Sequence, residues 1–156
     1  MTGYRTITGL AMGLLSALAL AAPVAATPPA SLSGSGVVTS AVTTSVRTSG
    51  GNTHLEVTIS GVLAGSLTGT FTIHRSQTIH PSGDSTVQDS AVVTGTTPCG
   101  AGMFEARVEA MIVGGVYAGH GPTIDGGTNT ANLHANFDIA AGAGTSFTYS
   151  GTYHCG

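Results

Sequence analysis

Lysine and tryptophan are both missing from this 156-residue chain, and charge of either sign is thin: four arginines stand against seven carboxylates, for a formal net charge of −3. That scarcity makes nucleic acid and anionic membrane poor partners, because both are held by clusters of positive charge, and neither nucleic-acid binding nor a membrane span is expected. Carbohydrate is disfavoured as well, since there are only four tyrosines to stack on sugar rings, one of them Tyr4 near the start. No amphipathic helical period is visible, and no apolar run after residue 22 is long enough to cross a membrane as a helix. Familiar site motifs are missing too: no HExxH, no CxxC, no His-x-His, no Gly-x-Ser-x-Gly elbow and no phosphate-loop spacing. No cofactor is therefore expected, and Ser76, between His74 and His80, gains no support as a nucleophile.

What is present begins with a leader. Arg5 precedes the apolar run Leu10–Ala22, too short for a bilayer, and Val24-Ala25-Ala26 puts small residues one and three positions before a cut. Residues 1–26 read as a secretory signal peptide, to be removed. The remainder reads as a flexible N-terminal segment over 27–36 (TPPASLSGSG) followed by one domain over 37–156. A secreted, extracellular product is expected. In an oxidising exterior the two cysteines, Cys99 and Cys155, are expected to form a disulfide. The abundance of Ala, Gly and Thr beside absent lysine fits a GC-rich bacterial genome.

From residue 37 onward, apolar and polar residues alternate with a period of two, the mark of half-buried strands. The runs are 37–47, 53–63, 66–79, 85–95, 103–118, 129–139 and 146–154, which makes seven strands, or eight if Gly114-Gly115 breaks the fifth. Short turns rich in Gly, Asn, Asp and Pro separate them, as antiparallel hairpins require. The fold expected is all-β, a single antiparallel meander closed as a barrel. A β-sandwich is the alternative, and glycines inside strands (Gly61, Gly65, Gly69, Gly151) favour the barrel because they permit a sheet to curl.

The same alternation sorts side chains by face. Leu, Val, Ile and aromatic residues share one side, so Phe71, Phe104, Phe137, Phe147 and Tyr149 are the expected lining of an interior that binds a small apolar ligand. Polar residues share the other. If Pro81-Ser82-Gly83 is a three-residue loop with Gly83 left-handed, Arg75 opposes Asp89, an ion pair expected at a barrel rim. In the last hairpin, His134 falls directly or diagonally opposite His154, the candidate metal pair, with Asn132, Asn136 and Asp138 beside it.

Two further sets are candidates for acid–base chemistry. Glu105, Arg107 and Glu109 alternate on one strand face, although carboxylates four residues apart on a strand are separated by roughly 13 Å, more than glycosidase chemistry uses. His120 and Asp125 lie in MIVGGVYAGHGPTIDGG (residues 111–127), which reads as a strand bent at Gly114-Gly115 and then a wide turn through His120-Gly-Pro122. Such a turn could stand at a barrel mouth.

With that strand plan, the hairpin IHPSGDST (residues 79–86) and the late Gly-Thr-Phe-like strands, the chain resembles small secreted bacterial barrels of the allene-oxide-cyclase-like or calycin type over most of residues 37–155. The resemblance implies an eight-stranded barrel with an apolar cavity, in a group that binds or transforms small apolar molecules. It includes no catalytic motif that transfers to a residue here. The function expected is therefore a non-enzymatic secreted barrel, a ligand binder or an extracellular scaffold. Two alternatives stand beside it. One is an isomerase or cyclase using His120, Asp125, Glu105 or Glu109; the other is an envelope or assembly protein recruiting a chain through the Thr- and Ser-rich strand VVTSAVTTSV.

Overall fold

The computed structural model describes residues 28–124 and 128–156. Eight strands follow in chain order: β1 (Ala30–Ser49), β2 (Asn52–Gly65), β3 (Thr68–Ile79), β4 (Ser85–Thr97), β5 (Gly100–Val113), β6 (Val116–Ile124), β7 (Leu133–Ala141) and β8 (Ser146–Cys155). Each pairs antiparallel with the next, and β1 pairs with β8, so the sheet closes into a barrel. The fifth run does break at Gly114-Gly115, where both residues have positive φ (58° and 80°), which glycine adopts without a Cβ clash.

Closure depends on residues that the sequence reading assigns to a flexible segment. Ala30–Val37 pair with Ser146–Tyr153, and Gly34–Val37 also pair with β2 on the other side. The physical reason lies across the seam. Gly34 faces Tyr149 and Gly36 faces Phe147, and a methyl group at either glycine would land on the opposing ring. The Ser-Gly-Ser-Gly stretch is thus a strand whose small inward residues make room for aromatic side chains of β8, a pattern that composition alone cannot separate from a linker.

Beyond Val38, β1 runs past the end of β8 and keeps β2 as its one strand partner among the described residues. Register shifts at Thr39 and Thr44 bulge it, and each threonine donates its hydroxyl to a β2 carbonyl (Ser60 and Glu56, 3.2 Å). His120-Gly121-Pro122, expected as a turn, belongs to β6 and pairs with Asp138-Phe137-Asn136 of β7. The ladder to β5 is interrupted at Gly121 and Pro122, where proline has no N–H to give and a Cβ on Gly121 would strike the Arg107 carbonyl.

Apolar side chains fill the interior and polar ones predominate outside, although Val37, Val42, Val46, Val62, Met111, Val113 and Val116 are also exposed. The core is densest at the end carrying the β2–β3, β4–β5 and β6–β7 connections, where Leu32, Phe104 and Leu133 are fully enclosed. Cys99, in the β4–β5 turn, is bonded to Cys155 at the end of β8. Because β4–β5 and β8 lie on opposite arcs of the ring, this disulfide ties the closed end across its width.

Candidate functional site

The barrel is not filled along its whole length. Toward the end bearing the Gly114-Gly115 turn and the 142–145 loop, an interior cavity of about 250 Å³ opens between walls that include Ile59, Ile73, Ala91, Val108 and Ile139. Gly115, Gly142, Gly144 and Thr145 frame its mouth. A cavity of about 150 Å³ already accommodates a benzene ring, so this one has room for a small organic molecule. Deeper in the barrel lies a second space of about 60 Å³. Phe71, Phe104, Phe137, Phe147 and Tyr149, the expected ligand lining, all border that smaller space, and of the five only Phe147 reaches the larger cavity. These rings pack on each other: Phe71 meets Phe147 edge-on at 5.5 Å and Phe104 stacks on Phe137 at 6.2 Å.

One polar cluster interrupts the apolar wall. The turn after β3 closes through His80 N–H donating to the Asp84 carbonyl and Gly83 N–H to the His80 carbonyl, with Gly83 at φ 90°. This register places Arg75 directly opposite Asp89, as the sequence requires, but on inward positions rather than at the rim. The Asp89 side chain is 3 % exposed and that of Arg75 17 %. The contact is bidentate, Arg75 Nε to Oδ1 at 2.8 Å and Nη2 to Oδ2 at 2.7 Å. Tyr117 completes it, its hydroxyl donating to Asp89 Oδ2 at 2.9 Å while the Arg75 guanidinium lies 4.9 Å from its ring centre.

The electrostatics follow from that enclosure. Burial works against the Arg75 charge, but the hydrogen bonds and charge of Asp89 outweigh it and hold the guanidinium above its ordinary value. For Tyr117, burial and the neighbouring Asp89 carboxylate both disfavour a phenolate and push the hydroxyl well up. Tyr117 was not singled out by the sequence. The signal available was its place in the alternation Tyr117, Gly119, Gly121, which turns it inward toward a carboxylate with a lone pair left to satisfy.

Of the acid–base candidates, Glu105, Glu109 and His120 stand on the outer surface. Glu109 pairs with His120, and His120 with Asp138, along one row across β5, β6 and β7. His120 Nδ1 is 2.8 Å from Asp138 Oδ1, with both side chains largely exposed (65 % and 73 %). An open depression of about 700 Å³ outside the barrel includes Ser76, Gln88, Glu109, His120 and Asp138. Glu105 lies farther along β5, opposite Ile124, and Asp125 falls outside the described residues. His120 therefore stands on a strand face and not in a mouth loop.

The two candidate metal histidines do face each other. His134 and His154 are cross-strand partners, with rings stacked at 4.9 Å and 11° between planes. Parallel stacking directs ring nitrogens alongside one another, whereas a shared ion needs their lone pairs to converge. Among the described residues, no group of three His, Cys, Asp or Glu is placed to hold a metal ion.

The fold and cavity define a class, a closed eight-stranded antiparallel barrel with an interior pocket carrying one buried ion pair. Comparison with known proteins does not narrow that class, since no family model and no curated protein matches the chain.

Proposed function

We propose that this protein is a secreted barrel that binds a small, mainly apolar molecule in its interior. The observation that carries the reading is the cavity of about 250 Å³ walled by aliphatic side chains and opening between glycine-rich turns. The leader-like first 26 residues and the Cys99–Cys155 bond support export to an oxidising compartment. An apolar interior under a mainly polar exterior is the reverse of the lipid-facing pattern of membrane barrels. Binding rather than catalysis is favoured because Glu109 and His120 lie on an exposed outer face, with nothing to exclude water from them.

The test is a titration of the isotope-labelled mature protein with cumene, followed by NMR. Shifts confined to amides around Ile73, Ala91, Val108 and Ile139, lost in Ala91→Leu with the fold intact, are expected. Absence of binding, or shifts scattered over the outer surface, would defeat the reading.

A second reading has its own observation. The edge of β1 from Thr39 to Ser49 that faces away from β2 has no strand partner among the described residues, and Val42 and Val46 are exposed there. Such an edge supports an assembly role, in which the strand recruits another chain. Sedimentation over a wide concentration range distinguishes the two: a monomer throughout removes self-assembly.

A further inference from the structure

Arg75 makes fewer hydrogen bonds than its fork allows. Nε and one Nη2 hydrogen serve Asp89 and the guanidinium also meets the Tyr117 hydroxyl, which still leaves part of its five-donor fork for another acceptor. The Arg75 side chain lines the cavity and keeps 17 % of its surface exposed, so this remainder of the fork faces the contents of the cavity. Tyr117 has already committed its proton to Asp89. Arg75 and Asp89 are the only charged side chains in the cavity wall among the described residues, and they neutralise each other.

These facts set the chemistry of an occupant. A pure hydrocarbon would strip water from the remaining N–H groups and return no acceptor. A carboxylate would satisfy those N–H groups but add a second negative charge beside Asp89, in a site with one positive charge already shared. A neutral acceptor does neither. Resting on the reading of the interior as a ligand cavity, we propose that the Arg75 edge selects small apolar ligands bearing a neutral carbonyl, such as a ketone, aldehyde or ester, over hydrocarbons and carboxylates of the same shape.

Three probes of nearly one shape test this: acetophenone, cumene and benzoate, titrated into the mature protein at pH 7. Because water solvates the three differently, the quantity read is the ratio of cumene to acetophenone Kd in wild type divided by the same ratio in Arg75→Met/Asp89→Leu/Tyr117→Phe, which removes the cluster as a unit. A hydrogen bond from a charged donor predicts that the ratio in wild type is about tenfold or more above that of the variant. If the triple variant fails to fold by circular dichroism, Arg75→Lys is used in its place. It keeps the ion pair and lacks the planar fork, and a fall in the ratio is again expected. An unchanged ratio, or benzoate binding more tightly than acetophenone, overturns the proposal while leaving the cavity reading intact. Failure of all three probes to bind wild type overturns both.

Discussion

At the scale of single residues, Asp89 is the position on which most depends. It receives two N–H groups of Arg75, from Nε and Nη2, and the Tyr117 hydroxyl inside an apolar wall. Asp89→Leu leaves the guanidinium buried without a counter-charge, and a loss of about 3–5 kcal/mol in chemical denaturation is expected. Arg75→Met/Asp89→Leu removes both charges and should recover most of that loss; equal destabilisation of the single and double variants would show that packing, not charge, is at stake. Tyr117 carries a pH signature. Its hydroxyl titrates above the ordinary value of 10.0, chiefly through burial and then through Asp89. The folded state therefore holds this proton more tightly than the unfolded state does. Its contribution to stability is complete below pH 10 and is lost as pH rises above 10 toward the raised folded value. Urea denaturation between pH 8 and 11.5 should show wild type losing more stability than Tyr117→Phe; parallel losses would contradict the assignment. Arg75 facing Asp89 was legible in the sequence because the turn chemistry of Pro81-Ser82-Gly83 fixes register locally. That the pair lies inside was not, because a polar residue on an apolar face looks the same at a rim and in a core.

At the scale of elements, the seam between β1 and β8 shows where reading by composition stops. Ser33, Gly34, Ser35 and Gly36 have the makeup of a linker, yet they form the strand that closes the ring. Their meaning depends on Phe147 and Tyr149, more than a hundred positions later. Gly36→Ala should force the Phe147 ring aside and cost about 1–3 kcal/mol as overpacking. Gly142→Ala, where an added Cβ meets open space, should be near neutral. Should both behave alike, the small residues of β1 are not what seats the aromatic rings. β6 teaches the same lesson in reverse. The Gly-His-Gly-Pro stretch has turn residues but sits in a strand, because β7 supplies the partner that proline and glycine leave β5 unable to complete.

At the scale of the whole molecule, one end is sealed and the other holds the cavity. Leu32, Phe104 and Leu133 pack the sealed end, and the Cys99–Cys155 bond spans it across 56 positions of sequence. In the chain-entropy model a loop of that length contributes about 4 kcal/mol. Cys99→Ser/Cys155→Ser is expected to lower stability by a comparable amount while leaving a folded barrel that still binds cumene at the far end. Loss of binding together with the disulfide would mean that the two ends do not behave independently. Among the described residues the distal half of β1 keeps an edge without a strand partner, and that edge lies at the cavity end and not beside the disulfide.

By itself the sequence determined the all-β class, a count of seven or eight strands, the inward and outward faces, the cysteine pair, the opposition of Arg75 and Asp89, and the nearness of His134 to His154. All of these rest on local rules, since period-two alternation and turn stereochemistry act within one strand or one hairpin, and two lone cysteines have a single pairing. The tertiary structure decided which residues close the barrel, that Tyr117 joins the ion pair, and that the aromatic set fills the depth while the aliphatic set near the mouth leaves room. Those outcomes depend on which strands meet around the ring and on how much volume their side chains occupy between them, quantities that no single strand carries.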